Sequence, residues 1–388
     1  LGWRYFGTVD GHNLSELLNL IGHVKDLDGP IVIHAITQKG KGYSFAEEDS
    51  HKYHGVTPFE PSDGKFVKKK KGSNLKNFSD VFGSKLDELM ARNGKVVVLT
   101  AAMLSGTGIL KLQPKYPDRV LDVGIAEGHA VTCSAGLATS GQKPFVAIYS
   151  TFLQRALDHI IHDVAIQKLP VRFMLDRAGF VGADGPTHHG VYDLTYLRMI
   201  PNMVILVPRN GAELSCMMEF AFNYEKGPLA IRYPKGNAKE LEEKKSVEIK
   251  LGKANILQDG KDIALLAVGS MVDIAKKVAD FLEVKGYSVA VINARFVKPL
   301  DQEVIVHYGK EVKMLVMMEE NSIHGGFGSG VLEILSEKGI CVPTFQIGVP
   351  DIFIDQGSQK EQLKKADLDS EQITKRILDR LTFPPNLN

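Results

Sequence analysis

The feature that most constrains the fold is a repeated alternation of short apolar runs and longer helix-like segments, which starts near residue 75. The apolar runs are rich in β-branched residues and include VVVLT, PFVAIYS, VRFMLD and MVILVP. Segments of helical period, such as 128–140, 153–168 and 211–224, separate them. Continuously apolar strands that alternate with helices are typical of parallel sheets covered on both faces. The sequence therefore predicts an α/β protein with doubly wound, mostly parallel sheets.

Two polar, lysine-rich stretches at 61–76 and 237–250 interrupt this alternation, and we interpret them as linkers because runs of like charge are usually solvated. They divide the chain into the tail of one domain at 1–60 and two complete α/β domains at 77–236 and 251–388. The first residues, LGWRYFGTVDGHN, begin abruptly in structured-looking sequence without a signal-peptide composition. We therefore expect further chain upstream.

The composition argues against several classes of function. A net charge of +1 gives no overall field that favours nucleic acid or an anionic membrane. No apolar run approaches the length that spans a bilayer. The three cysteines are scattered, which indicates a reducing compartment rather than a disulfide framework. We therefore predict neither a nucleic-acid nor a membrane partner.

The segment LDVGIAEGHA contains the first candidate for chemistry, Glu127. An apolar strand ends at Ile125 and a helix follows at once, so Glu127 lies in a first helical turn at the carboxyl edge of a sheet, where ligands bind in open α/β folds. The helix N-terminus favours the ionised carboxylate, whereas burial against a flat heterocycle favours the protonated one. Such a carboxyl group can share a proton with a ring nitrogen. A simple helix-capping acid is the alternative.

The segment DRAGFVGADGPTHHG, residues 176–190, is a long glycine-rich loop after a predicted strand. Long loops inside compact domains are usually functional or disordered. This loop offers proton-transfer groups at Asp184, His188 and His189 and an anion ligand at Arg177. The alternative is a surface loop whose histidines have no role.

Further candidates lie at the ends of other predicted strands. Tyr149 and Phe152 can stack on a planar ligand, although core packing is the simpler alternative. Arg232 can hold a phosphate through two hydrogen bonds or form an ordinary ion pair. A glycine run, GGFGSG at 325–330, has only part of a dinucleotide-binding spacing, and close backbone packing explains it equally well.

The loop after the predicted strand 31–37 carries Lys39, Tyr43 and His54. Its KGKG sequence and the downstream histidine suit either a lid that handles an anion or a flexible connector.

Nearly the whole chain resembles the 1-deoxy-D-xylulose-5-phosphate synthases, which are transketolase-like enzymes. The resemblance rests on GTVDGHN, TQKGKGYSFAEED, DVGIAEGHAVTCSAGLA, YSTFLQRA, DRAGFVGADGPTHHG, IRYPKGN, ARFVKPLD, EENSIHGGFGSG and VPDIFIDQG. It implies a pyrimidine-binding domain followed by a transketolase C-terminal domain. It also implies a homodimer in the bacterial cytoplasm, or in the plastid of a eukaryote.

The activity implied by the resemblance is the decarboxylating condensation of pyruvate with glyceraldehyde 3-phosphate, which supplies isoprenoid, thiamine and pyridoxal synthesis. The implied cofactors are thiamine diphosphate and Mg²⁺. Glu127 would bind the aminopyrimidine ring nitrogen and Phe152 would stack on that ring, with Tyr43 and Lys39 lining the cofactor site. The remaining implied roles belong to the substrates: Tyr149, Arg177 and Arg232 for the acceptor and its phosphate, and His54, Asp184 and His188 for proton transfer.

Two departures from the family pattern stand out. Gly128 follows Glu127 where the family usually has glutamine, so a neighbouring contact is lost while the carboxylate is kept. The family's diphosphate and Mg²⁺ motif, GDG followed by asparagine, is absent, so we expect the metal ligands upstream and none in this chain. Two alternatives stay open: one subunit of a split transketolase-like enzyme, or a non-catalytic dimerisation fragment.

Overall fold

The computed structural model divides the chain into two compact units, Leu1–Asn74 and Leu75–Asn388. The described residues are 2–50, 52–67, 76–238 and 248–382. The lysine run of the predicted linker 61–76 lies outside them, as do residues 239–247 of the predicted linker 237–250.

The first unit is built on two parallel strands joined by a helix. Strand β1 (Arg4–Asp10) pairs with β2 (Ile31–Ile36), and α1 (Leu14–Val24) connects them. The remaining elements of the unit are the short helix α2 (Ser44–Glu48) and the hairpin of β3 (Phe59–Glu60) and β4 (Lys65–Phe66). This hairpin occupies the start of the stretch predicted as a linker.

The second unit contains the predicted alternation of strands and helices. Its strands are β5 (Val96–Thr100), β6 (Val120–Asp122), β7 (Lys143–Tyr149), β8 (Arg172–Ala178), β9 (Val204–Leu206), β10 (Leu229–Pro234), β11 (Asn255–Gln258), β12 (Ile263–Ala267), β13 (Val289–Asn293), β14 (Phe296–Lys298), β15 (Met314–Ser322) and β16 (Thr344–Val349). Its helices are α3 (Phe78–Arg92), α4 (Glu127–Thr139), α5 (Ser150–Leu153), α6 (Leu157–His159), α7 (Asp193–Arg198), α8 (Gly211–Asn223), α9 (Met271–Val284), α10 (Gln302–Glu311), α11 (Phe327–Glu337), α12 (Gln359–Lys365) and α13 (Ser370–Thr382).

Two mostly parallel sheets organise this unit. The first has the order β14-β9-β10-β8-β7-β5-β6 and the second has the order β11-β13-β12-β15-β16. In each sheet one edge strand, β14 or β11, runs antiparallel to its neighbour and the other pairings are parallel. Strands such as β5 and β12 are buried along their whole length, as expected for sheets covered by helices on both faces. The predicted α/β fold class is confirmed.

The two sheets are tied together by a strand that crosses between them. Strand β14 follows β13 of the second sheet but pairs with β9 of the first. Next to it, Arg295 donates from Nε to Glu213 of α8 at 2.7 Å, and Asn293 donates to the same carboxylate at 3.0 Å. A buried ion pair and a shared sheet edge therefore hold the two domains of this unit in register.

The segment predicted as one helix over 153–168 is broken into several turns. Helix α5 is followed by a 3₁₀ turn at Gln154–Ala156, by α6 and by a π-helical turn at Ile160–Ala165. Apolar periodicity predicts the helical character of such a segment but not its pitch. Single π turns of this kind occur frequently at functional sites.

The glycine run at 325–330 has an internal function. Glu319 of β15 accepts hydrogen bonds from the backbone N–H groups of Phe327 and Gly328, both at 2.8 Å, and so caps the start of α11. A Cβ atom at Gly326 would lie 2.1 Å from Oε2 of Glu319, so the approach requires glycine. Close backbone packing, one of the two readings of this motif, accounts for it.

The capping carboxylate of Glu319 predicts a pH dependence of stability. Burial raises its pKa from 4.5 to about 7 in the folded protein. Between these values the unfolded state loses its proton first, so the free energy of unfolding falls as the pH rises from about 4.5 to 7, by roughly 3 kcal/mol from this group. We expect Glu319→Gln to remove this slope in urea unfolding measured at pH 5 and pH 7.5. Glu303→Gln, at an exposed site, is the control, and a Glu319→Gln profile parallel to that of the wild type would contradict the assignment.

Candidate functional site

The candidate site lies at the carboxyl edge of the first sheet of the second unit. Four segments reach this edge because their strands are parallel: the residues after β6, β7, β8 and β10. In open α/β sheets this is the edge at which ligands bind. Glu127, Tyr149, Arg177 and Lys235 each lie at or just beyond the end of one of these strands.

Glu127 is the first residue of α4 and is only 4% exposed. Its Oε1 accepts a hydrogen bond from Nη1 of Arg155 at 2.6 Å. No side chain caps this helix at Ala126, so the carboxylate is the acidic group closest to the positive end of the helix dipole. The arrangement holds a buried carboxylate at the sheet edge with one charged partner.

A chain of ring contacts connects Glu127 with the loop after β8. The guanidinium carbon of Arg155 lies 4.8 Å from the centre of the Phe152 ring. That ring stacks on Tyr149 at 5.8 Å and makes a T-shaped contact with His188 at 5.3 Å. Cation–π and offset aromatic contacts of this kind are each worth about 0.5–1.5 kcal/mol. They bring four of the sequence-predicted residues into one continuous cluster.

Arg177 extends this cluster on the far side of Tyr149. Its guanidinium carbon lies 4.3 Å from the centre of the Tyr149 ring, and Nη1 pairs with Oδ2 of Asp176 at 2.9 Å. Ser79 and the carbonyl of Gly106 accept from the same Nη1. Arg177 has a φ of 62°, a left-handed conformation that is costly for a residue with a side chain. Because the fold maintains this strained backbone conformation, we infer that the direction of the Arg177 side chain is important.

Asp184 and Lys235 form a second charged group at this edge. Nζ of Lys235 lies 2.5 Å from Oδ2 of Asp184, and both side chains are partly exposed. Partial burial acts to raise the pKa of Asp184, but the hydrogen bond and charge of Lys235 outweigh it and lower that pKa. The pair therefore offers an ionised carboxylate and a cation within reach of solvent.

Arg232, predicted at the acceptor phosphate, points into the protein instead. The residue is 3% exposed, and Nε donates to both oxygens of Asp193, at 2.8 and 2.9 Å. Nη2 donates to the carbonyls of Gly190 and Glu320. Neighbouring residues of a strand face opposite sides, and Arg232 belongs to the side that packs against the second domain. Its guanidinium is engaged in the interior, and Lys235 is the cation of this segment that reaches the surface.

The other predicted residues lie in the first unit. Lys39 and His54 are exposed, and Tyr43 is partly buried. The Tyr43 hydroxyl donates to the carbonyl of Pro61 at 3.0 Å, and its ring contacts Tyr53 at 5.6 Å. Tyr43 is therefore fixed within its own unit.

Gly128, where the family pattern has glutamine, is packed against His159. A Cβ atom at Gly128 would lie 2.6 Å from Cε1 of that ring, closer than real Cβ contacts. The imidazole thus fills the space beside the start of α4, and its Nδ1 is buried without a hydrogen-bond partner among the described residues.

Models of three protein families match the chain. The pyrimidine-binding domain of transketolase matches residues 76–240, the C-terminal domain of transketolase matches 252–373, and a 1-deoxy-D-xylulose-5-phosphate synthase model matches 1–37. A solved split-gene transketolase, described as an inactive beta4 tetramer, is 30% identical, with a TM-score of 0.71. The match covers 79% of this chain and 98% of that one. The chain belongs to the transketolase family.

Curated relatives of this transketolase-family chain include two proteins named 1-deoxy-D-xylulose-5-phosphate synthase. The protein from Thermosynechococcus vestitus is 48% identical over 99% of this chain, and that from Caldanaerobacter subterraneus is 47% identical over 98%. The chain spans about 60% of the length of each of them. A Pichia stipitis transketolase, at 18% identity and a TM-score of 0.67, shares the fold. The resemblance to the synthases is confirmed.

The described residues of the transketolase-family chain contain neither a membrane-spanning helix nor a cluster suited to a metal ion. None of its described helices is both long and apolar enough to cross a membrane. Within the same ranges, no group of three or more His, Cys, Asp or Glu residues is arranged to hold a metal ion.

Two residues of the candidate site, Arg155 and Lys235, were missed by sequence reasoning. Arg155 lies in a segment predicted as one regular helix, and only the folded geometry brings it to Glu127. Lys235 lies three residues after Arg232, beyond the end of the apolar run, and its position past the strand is the signal that distinguishes it. A residue inside a fully buried strand is expected to be structural, whereas the loop after the strand supplies ligand contacts.

The burial of Arg232 predicts that its removal harms stability rather than binding alone. Arg232→Met leaves Asp193 buried without its charged partner, which costs about 3–5 kcal/mol. Lys235→Met removes a cation whose side chain is 39% exposed and changes stability by less than about 1 kcal/mol. Urea unfolding of both variants tests this expectation. Equal free energies of unfolding for the two variants would refute the structural role of Arg232.

Proposed function

We propose that the protein containing this chain uses thiamine diphosphate to condense pyruvate with glyceraldehyde 3-phosphate. The reaction releases CO₂ and gives 1-deoxy-D-xylulose 5-phosphate. The observation that carries the proposal is the buried carboxylate of Glu127 at the carboxyl edge of the sheet, linked through Arg155 to the ring of Phe152. The names of the curated relatives, at 46–48% identity, support the same reaction.

The residues at this edge fit the pyrimidine half of the cofactor. When bound, thiamine diphosphate supplies an electron sink for the decarboxylation. Glu127 is held at a helix N-terminus, which favours a carboxylate able to take and return a ring-nitrogen proton. Phe152 contributes an aromatic surface at the same edge. Arg155 balances the charge of Glu127, and its 53% exposed side chain has room to move when a ring nitrogen replaces it.

The acceptor phosphate is assigned to Lys235 and Arg177, with Tyr149 between the cofactor and the acceptor. Lys235 is the surface cation after β10, and Arg177 is partly exposed beside the Tyr149 ring. Arg232 supports this region from the interior through Asp193. Two cations of this kind are suited to a phosphate group, which accepts several charge-assisted hydrogen bonds.

Proton transfers at the reacting centre are assigned to His188 and Asp184 on one loop. The His188 ring makes a T-shaped contact with Phe152, and Asp184 is kept ionised by Lys235. We carry over His54 for proton transfer and Lys39 and Tyr43 for the cofactor from the resemblance alone. The Mg²⁺ ligands and a homodimeric assembly are proposed on the same ground.

The alternative of a split transketolase subunit has weaker support. The solved split-gene transketolase is 30% identical, whereas the synthases reach 48%. The alternative of a non-catalytic fragment is decided by mutation of Glu127.

Removal of the Glu127 carboxylate tests the reaction itself. In the full-length holoenzyme we expect Glu127→Gln to lower kcat by about 10²- to 10⁴-fold, because the amide cannot exchange a proton with the ring nitrogen. The measurement is release of ¹⁴CO₂ from labelled pyruvate in the presence of glyceraldehyde 3-phosphate. Glu303→Gln, an exposed glutamate of the second domain, serves as the matched control. Near-normal turnover of Glu127→Gln would contradict the proposed function.

The phosphate assignment predicts a defect in KM at Lys235. Lys235→Met removes a charge-assisted hydrogen bond and should raise the KM for glyceraldehyde 3-phosphate by about 10- to 100-fold, with the KM for pyruvate unchanged. Lys253→Met, which removes a lysine paired with Glu303 in the second domain, is the control. If Lys235→Met leaves the KM for glyceraldehyde 3-phosphate as in the wild type, the phosphate is held elsewhere.

A further inference from the structure

The loop that carries Asp184 and His188 receives several of its hydrogen bonds from side chains of the second domain. We define the acceptor loop as residues 179–190. Gln362 of α12 accepts from the backbone N–H of Gly182 at 2.9 Å and donates to the carbonyl of the same residue at 2.8 Å. Because both groups of one peptide position are engaged, this glutamine fixes the orientation of the turn that contains Asp184.

A second glutamine of α12 connects the two charged arms of the candidate site. Nε2 of Gln359 donates to the carbonyl of Phe180 at 2.7 Å and to the carbonyl of Lys235 at 3.0 Å. The acceptor loop and the segment after β10 are therefore held by one side chain. Asp184 and Lys235, which pair at 2.5 Å, lie on these two arms.

Two further contacts complete the attachment of the loop. Oε1 of Glu320 accepts from the backbone N–H of Phe180 at 2.8 Å. His189 lies 3.0 Å through Nε2 from the carbonyl of Ile354, and its Nδ1 accepts from Val181 at 3.3 Å. Burial lowers the pKa of His189, which keeps the ring neutral and able to accept at Nδ1.

The helix that supplies the glutamines is itself well fixed. Ser358 and Glu361 form a capping box at its start, and Gln362 is 1% exposed. Nε2 of Gln362 also donates to the carbonyl of Asp355 at 3.0 Å, so the oxygen and the amide group of this side chain are both used. A buried, fully bonded side chain on a capped helix gives the acceptor loop one preferred conformation.

We propose that α12 of the C-terminal domain is the positioning element of the acceptor site, with Gln362 and Gln359 as positioning residues that act through the acceptor loop. The proposal rests on the proposed function for the identity of the acceptor, glyceraldehyde 3-phosphate. The C-terminal domain thereby takes part in the placement of Asp184, His188 and Lys235.

The test separates hydrogen bonding from packing. Gln362→Met keeps the volume of the side chain and removes its hydrogen bonds, whereas Gln362→Glu keeps the acceptor but loses both donors. Gln372→Met is the matched control, because Gln372 bonds Asp367 within the same domain. Amide hydrogen exchange of residues 179–190 is measured in the substrate-free holoenzyme, together with KM for both substrates.

We expect amide exchange in the acceptor loop to rise about tenfold or more in both Gln362 variants, as follows from the loss of one or two neutral hydrogen bonds. The KM for glyceraldehyde 3-phosphate should rise at least about fivefold, whereas the KM for pyruvate should stay unchanged and the Gln372→Met control should match the wild type in both measurements. A loop as protected in Gln362→Met as in the wild type would overturn the proposal, as would a loosened loop with an unchanged KM. If the loop loosens but the wild-type protein does not consume glyceraldehyde 3-phosphate, the positioning by α12 stands and the proposed function fails.

Discussion

The buried guanidinium of Arg232 joins the parts of the second unit on which the candidate site depends. From the end of β10 it bonds Asp193 at the start of α7, the carbonyl of Gly190 at the end of the acceptor loop, and the carbonyl of Glu320 in the second domain. Removing such a cation from water is costly, and only an ion pair with well-aligned acceptors offsets that cost. The interaction therefore favours one relative arrangement of loop, helix and domain over its competitors.

The parallel sheet brings residues from several strands to one edge, where they form the candidate site. Because the strands are parallel, their carboxyl ends meet at one edge, and residues far apart in sequence, such as Glu127 and Lys235, come to the same side of the molecule. The residues proposed to touch a ligand lie at or just beyond the strand ends, and the buried strands and Arg232 support them. This division explains why the acceptor loop can be glycine-rich and still have a defined conformation, because Gln359, Gln362 and Glu320 of the neighbouring domain supply several of its hydrogen bonds.

Much of this organisation could be predicted from the sequence, and the failures have physical causes. The apolar runs predict the strands well because burial on both faces leaves a continuous signal, and helix α4 was expected within one residue of its observed bounds. The π turn at Ile160–Ala165 was not predictable, because a change of pitch alters no residue type. Arg232 was expected to hold the acceptor phosphate at the sheet edge, and its burial depends on Asp193, which sequence spacing does not connect to it. The role of Gln359 and Gln362 could not be predicted from the sequence, since it depends on hydrogen bonds to the backbone of another domain.

The pairing of Gly128 with His159 shows how a departure from a family pattern can be absorbed by the fold. A glutamine at 128 would need the space that the imidazole occupies, since even a Cβ atom would lie 2.6 Å from the ring. The ring belongs to α6, directly before the π turn, and the same chain of short turns carries Arg155 to Glu127. Glycine at 128 thus leaves free the space that the imidazole of His159 occupies in this packing. The surroundings of the carboxylate are set by the segment 150–165 rather than by the residue that follows it in sequence.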